Sequence, residues 1–342
     1  MSNAKIEDNL LDKDGLDTVR LSVAEAEQLG KSALARTGFS DEEAQIIIDQ
    51  LVDNALCGYK FAGLPRIVAI STNLKTRAAR KPIKVVHETA VSAQIDGGNN
   101  VGYLAAFRGA QMAIEKSRST GLSIVGVNNS YYSGRNAYYV EHMVNAGVVA
   151  IHTAAAEPKV FSPGAKKPAL GTNPMAFGFP SLAGPVVFDM GTASIMGGEL
   201  LLHSLLGQQL PDGIAFDNEG RPTRDPKVAM HGGGVIPFGG HKGYGLSFTV
   251  QALGLLAGAA LTRGEVRDYG FLFIAINPDL LVPGGKFPAH MSKMVEEIKN
   301  MPRQDGVSEL RVPSERAHRE RAQRRKEGIV LERSVIDAIK AL

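Results

Sequence analysis

The groups best suited to chemistry lie in three short blocks between residues 163 and 251: PGAKKPALGTNPMAFGFP from Pro163, VVFDM ending at Met190, and PFGGHKGYGLSFTVQ from Pro237. Loops of this kind present bare backbone N–H groups and small side chains to a ligand. In Gly171-Thr172-Asn173-Pro174, Thr and Asn offer hydrogen bonds to a phosphate or a ribose while Pro fixes the turn. Read alone, the same four residues make an ordinary turn. Gly164 lies upstream, followed by Lys166 and Lys167, which either meet a phosphate or stay solvated. Gly240-His241-Lys242-Gly243 opens a long helix, and a helix start beside glycines favours an anion. Asp189 ends a strand-like run, where it is either an acid beside a site or the cap of the next helix.

Other chemistries lack their residues. The histidines form no His-x-His or HExxH pair, so no metal centre is expected. No Gly-x-Ser-x-Gly elbow is present. Gly97, Gly98 and Gly102 have the wrong spacing for the Gly-x-Gly-x-x-Gly dinucleotide fingerprint, and no Walker-type loop occurs. With no tryptophan and no aromatic–basic stripe, a nucleic-acid partner is not expected.

The elements that must position these blocks alternate between helix and strand. Ser22 with Glu25, and Ser40 with Glu43, read as capping boxes opening two N-terminal helices. Ala44, Ile47, Ile48, Leu51, Val52 and Ala55 recur on one face of the second. Lys84 to Ile95 reads as a strand closed by an Asp96-Gly97-Gly98 turn. Leu104 to Ser119 and Arg135 to Asn145 read as helices, each followed by a short apolar strand. Val186 to Asp189 and Phe271 to Ile276 read as buried strands, with a long helix from Lys242 between them. Helices near Pro313–Lys326 and Ser334–Leu342 are expected to return onto the N-terminal ones. Such alternation defines an α/β chain.

The chain has 342 residues, 44% hydrophobic, enough for about two domains, and a net charge of +3. The basic residues near the C-terminus are mixed with acids, as on a solvated helix. Cys57 is the single cysteine, so no intrachain disulfide forms and a reducing cytoplasm suits the chain. Met1 to Asp17 is polar, lacks the apolar stretch of a signal peptide, and begins with what reads as an expression scar, Ser2-Asn3-Ala4. The uncharged run Gly243 to Leu261 approaches membrane-spanning length, but its glycines and polar residues make it a buried core helix. No membrane association is expected.

From about Leu21 to the C-terminus the chain resembles the malate/L-lactate dehydrogenase-like oxidoreductases, also called the sulfolactate dehydrogenase-like family. The match is carried by PxGxxxPxLGTNPxAF, VVFDM and Gly-His-Lys-Gly. The resemblance implies an α/β fold without a Rossmann turn. A nucleotide-binding domain with a mixed sheet would span 96–302. A smaller helical domain, carrying substrate and dimer contacts, would be built from both chain ends, 21–95 and 303–342, with 1–20 outside the fold. It also implies an NAD(P)H cofactor held by Gly164, Gly171, Thr172, Asn173, Gly240, His241, Lys242 and Gly243, a small carboxylate substrate, and a homodimer.

The chain departs from the family at its expected acid–base residue. The family's Ser-His-Gly followed by arginine reads here Phe61-Ala62-Gly63, with Arg66 kept; its Ser-Asn-His-Phe-Gly reads Ser130-Tyr131-Tyr132-Ser133-Gly134, followed by the unusual Arg135 and Asn136. Ala62 cannot carry a proton, whereas imidazole titrates near neutrality. Tyr59, Tyr131 and Tyr132 are proton donors or packing residues, an unperturbed tyrosine titrating near about 10; Tyr59, Tyr132 and Asp189 are taken as the catalytic candidates. Arg66 and Arg135 could each clamp a carboxylate through two hydrogen bonds. The expected reaction is hydride transfer to a 2-oxo acid or a cyclic 2-imino acid, which protonates itself. The alternative is a relative that binds cofactor without turnover.

Overall fold

The computed structural model describes residues 17–73, 76, 78–205, 207–262 and 265–342. The stretch read as an expression scar and polar leader lies outside the described residues up to position 16. Among the described residues the first element begins earlier than expected: β1 (Thr18–Leu21) pairs antiparallel with β13 (Ile329–Glu332), so residues 18–20 belong to the fold. Both capping boxes form, opening α1 (Val23–Arg36) and α2 (Asp41–Leu56). The short α3 (Arg66–Thr72) follows a single 3-10 turn at Lys60–Ala62.

The central sheet takes its strands from the next two hundred residues. They are β2 (Lys84–Glu88), β3 (Ser92–Val101), β4 (Leu122–Tyr131), β5 (Val149–Ala155), β8 (Met175–Phe179), β9 (Val186–Met190) and β12 (Gly270–Ile276), in the order β2-β3-β4-β12-β5-β8-β9. Only β3 and β4 run parallel; the other neighbours are antiparallel. The sheet is therefore mixed, and β12 enters between β4 and β5 after a long excursion. Two expected boundaries move. Lys84 to Ile95 is a hairpin that belongs to this sheet and not to the helical lobe. Asp96-Gly97-Gly98 is no chain reversal but part of β3, where the register with β4 shifts, as at a bulge.

Helices α4 (Gly102–Thr120) and α5 (Asn136–Asn145) cover one face of the sheet. A Cβ on Gly109 would come within 2.7 Å of Val127, so α4 lies close on β4. On the other face lies α8 (His241–Leu256), with Gly254 against Ala155 and Gly270. This helix was expected to be buried all round. Its inner face is, but Phe248 is 60% and Leu256 69% exposed on the outer one.

Between β5 and α8 the chain forms a lobe with its own core. β6 (Val160–Phe161), β7 (Pro168–Leu170), β10 (Ala215–Phe216) and β11 (Gly234–Val235) make a four-stranded sheet over Val160, Leu170, Ile195 and Leu210, flanked by α6 (Gly197–Leu205) and α7 (Pro226–Met230). The chain then runs through α9 (Phe287–Lys299) to α10 (Glu315–Glu327), which packs on α2, and to α11 (Arg333–Lys340), which packs on α1. Among the described residues no helix is long and apolar enough to cross a membrane.

Candidate active site

The candidate residues gather at the edge of the central sheet where β4 and β5 end and where β8 and β12 begin. At the end of β4 the chain turns through Tyr132, whose φ of +53° is costly for an aromatic side chain. The turn aims the Tyr132 ring at Arg66, whose guanidinium carbon stands 5.1 Å from the ring centroid. Asn73 donates its amide N–H to the Tyr132 hydroxyl at 2.9 Å, leaving the phenol proton free to be given elsewhere. Tyr131 and Tyr269 pack edge-on against Tyr132. Arg66 has no carboxylate within ion-pair distance among the described residues. The Tyr103 hydroxyl is fully buried beside the Arg66 guanidinium. A half-buried guanidinium beside a ring of phenols has the chemistry to receive an anion.

Arg135 differs from the expected substrate clamp. It is 9% exposed; its Nη2 reaches Asp53 at 2.6 Å and its Nε donates to Asn54 at 2.9 Å. Glu141 lies 3.8 Å away, and Arg321 from α10 bridges Asp53 and Glu141. Burial works against the Glu141 carboxylate, but contact with His318 and the charges of Arg135 and Arg321 outweigh it and hold the group at about 2. The sequence reading missed this cluster and took Arg321 for a solvated residue. Beside it Cys57 is buried, which pushes its thiol up to about 11 and leaves it unreactive.

Tyr59 lies under two cations, with Arg135 and Arg316 at 5.5 and 5.4 Å from its ring centroid, and burial raises its phenol. Asp189, at the end of β9, accepts the Ala137 N–H at 2.7 Å and so caps α5 from across the sheet; the helix it caps precedes it in sequence. Withdrawal from solvent pushes its carboxyl up to about 6, against the pull of the Ala137 N–H and of Arg135.

The glycine loops divide into holding and open parts. Asn173 is fully buried: its Oδ1 accepts the Ala156 N–H, and its Nδ2 donates to the Ser247 carbonyl at 2.9 Å and to Gln251 at 3.0 Å. It ties the turn to α8 and presents nothing to a ligand, contrary to the expectation for it. Gly171 is packed as tightly, a Cβ there standing 2.6 Å from the Ala156 carbonyl. The Thr172 carbonyl takes both the N–H and the hydroxyl of Thr192. Gly240 is different. Its φ is +63°, a Cβ would meet open space, and α8 begins there with no side-chain cap. Gly239 and Gly164 are open in the same way, and His241 and Lys242 are exposed. Among the described residues no group of acids, histidines and cysteines could hold a metal.

The profile of the malate/L-lactate dehydrogenase family matches residues 21–340. The L-sulfolactate dehydrogenase of Methanothermobacter thermautotrophicus is 34% identical over 332 residues, covering 94% of this chain and 95% of that protein. The Delta(1)-pyrroline-2-carboxylate/Delta(1)-piperideine-2-carboxylate reductase of Pseudomonas putida is 31% identical over 343 residues, covering 95% and 97%. Among solved structures, sulfolactate dehydrogenase from Methanocaldococcus jannaschii superposes with a TM-score of 0.82 at 30% identity, covering 94% of this chain and 96% of that one.

Proposed function

The chain belongs to the malate/L-lactate dehydrogenase family and is an oxidoreductase, and from that premise we propose that it reduces a small 2-oxo- or cyclic 2-imino-carboxylate with NADH or NADPH. The observation that carries this reading is Arg66: a half-buried guanidinium lying over Tyr132, with no carboxylate of its own among the described residues. The residues present fit a dinucleotide. Open glycine backbone at Gly239 and Gly240 meets the uncapped start of α8, where N–H groups and Lys242 suit a pyrophosphate. When bound, the nicotinamide supplies the hydride.

The chain's own groups do the rest. Arg66 holds the substrate carboxylate and orients its 2-carbon. The Tyr132 hydroxyl gives the proton to the substrate oxygen or nitrogen. The phenolate left behind is stabilised by the Asn73 N–H and the adjacent Arg66 charge. Ala62 takes no part in proton transfer. A cyclic imine protonates near neutrality and depends less on Tyr132. The exposed apolar face of α8, around Phe248 and Leu256, supports a homodimer in which a second copy covers it. A single buried cysteine suits work in a reducing cytoplasm.

The test is NADH and NADPH oxidation by the purified protein with pyruvate, oxaloacetate, Δ1-pyrroline-2-carboxylate and Δ1-piperideine-2-carboxylate. Turnover of any of these supports the reading; silence across the panel, with cofactor bound, favours a family member that binds dinucleotide without turnover, the reading that Ala62 motivates.

A further inference from the structure

Two buried amides on one face of α2 tie down the segments that carry Arg66 and Tyr132. Gln50 and Asn54 stand one helical turn apart and are 1% and 0% exposed. The Asn54 Nδ2 donates to the Ala62 carbonyl at 3.0 Å, and its Oδ1 accepts from Arg135 Nε at 2.9 Å. These partners fix the orientation of the amide, since a carbonyl only accepts and a guanidinium only donates. Gln50 Nε2 donates to the Ser133 carbonyl at 3.1 Å and to the Arg135 carbonyl at 3.2 Å. Gly134 permits this approach, because a Cβ there would stand 2.6 Å from Gln50 Nε2.

Asn54 is the joint between two short, tethered runs. On one side Ala62 leads through Gly63, Leu64 and Pro65 to Arg66. Proline restricts that run, and the Arg66 N–H donates to the Gly63 carbonyl at 3.0 Å. On the other side Arg135 leads back to Tyr132 through Gly134, at φ +77°, and Ser133, whose carbonyl also accepts the Tyr139 hydroxyl. The far ends of the two runs meet where the Arg66 guanidinium carbon stands 5.1 Å from the Tyr132 ring centroid. One directional amide at the near ends therefore sets the spacing at the far ends.

We propose that Asn54, supported by Gln50, is a positioning residue: it holds Arg66 against Tyr132 so that one substrate is clamped by its carboxylate and protonated at its 2-substituent together. This rests on the reductase reading above. Fully buried, Asn54 acts through the two backbone runs and not on the substrate itself. Asn54→Asp keeps the size and the acceptor for Arg135 but loses the donor, so a carboxylate oxygen then faces the Ala62 carbonyl. A shift of about 1 Å between clamp and proton donor costs about 10²-fold in rate.

Asn54→Asp is expected to lower kcat on pyruvate by about 10–100-fold and kcat on Δ1-pyrroline-2-carboxylate, which protonates itself, by at most about threefold. Calorimetry with NADP+ present should show oxamate, an isostere of pyruvate, bound at least about fivefold more weakly than by the wild type, with NADP+ affinity unchanged. Should Asn54→Asp not fold by circular dichroism, Gln50→Leu, which frees the Tyr132 run alone, is expected to show the same kcat split. Ser40→Ala loosens α2 from its other end by removing its cap and should leave both the split and oxamate affinity as in the wild type. Equal losses on the two substrates, unchanged oxamate affinity in a folded Asn54→Asp, or the same split in Ser40→Ala overturns the proposal. Where the wild type does not reduce both substrates, the oxamate titration decides alone: weaker binding by the variant upholds the positioning role, and equal binding or binding by neither overturns it. A wild type that binds oxamate but reduces no substrate sinks the reductase reading separately.

Discussion

Nη2 of Arg321, in the last quarter of the chain, lies 2.6 Å from Oε2 of Glu141 in the centre of it. The pair, with Asp53 and Arg135, joins α10, α2 and the sheet-covering α5 at one buried point. Removing one partner leaves two carboxylates facing a single guanidinium. Arg321→Met is expected to lower the free energy of unfolding by about 3–5 kcal/mol, measured by urea denaturation. Because the Glu141 carboxyl lies at about 2 in the fold against an ordinary 4.5, its contribution is present above 4.5 and is lost as pH falls towards 2. A Glu141→Gln variant should therefore lose less stability than the wild type across that range.

Tyr132→Phe keeps the ring under Arg66 and removes the proton. It should lower kcat on 2-oxo acids by about 10²–10⁴-fold, and lower it much less on a cyclic imine. Tyr59→Phe should cost less than about tenfold, since its ring sits under guanidiniums. Single-turnover absorbance of the reduced cofactor separates the two variants; equal, small effects would exclude Tyr132 as the donor.

Arg66→Lys retains the charge and loses the planar fork. A loss of about 10²-fold in kcat/KM is expected, carried mostly by KM, with the circular dichroism spectrum unchanged. An unchanged KM would place the substrate carboxylate elsewhere.

Asp189 titrates with the opposite sign to Glu141. Its carboxyl is raised from 3.8 to about 6, so the folded state holds the proton more tightly than the unfolded one. The stability linked to this group is full below 3.8 and is lost as pH rises through about 6. Asp189→Asn still offers an oxygen to the Ala137 N–H but cannot titrate. Its unfolding free energy should fall less than the wild type's over that range, and Asp189→Ala should lose about 1 kcal/mol for the missing cap.

Gly240→Ala places a methyl group on a backbone at φ +63° beside the open start of α8. Cofactor affinity should fall by at least about tenfold, read by fluorescence titration with NADPH, with a stability loss of about 1–2 kcal/mol.

Local signals were legible where the cause is local. Ser22 with Glu25 and Ser40 with Glu43 cap their helices through residues three apart, and the apolar stripe of α2 needs only its own periodicity. The Arg321–Glu141 pair is not legible, because 180 residues separate its members and spacing says nothing of contact. Asn173 misled for a related reason. A residue in a ligand-like turn can turn its amide inwards, and the Ser247 and Gln251 that receive it lie on a distant helix. The Asp96-Gly97-Gly98 motif was read as a reversal because glycine permits both a turn and a bulge; the neighbouring strand decides between them.

The ribbon of β1 with β13 sets an order of assembly. Thr18 pairs with Glu332, so β1, the first described strand, waits for β13, the last. During synthesis α1 and α2 leave the ribosome long before α10 and α11, which cover them. Until residues 315–340 have been made, their apolar faces lack this cover, while the central sheet already has all its strands. A truncation of a few dozen residues at the C-terminus therefore strikes first at the lobe that carries Phe61, Ala62 and Arg66, and a stalled chain would expose the N-terminal helices to chaperones.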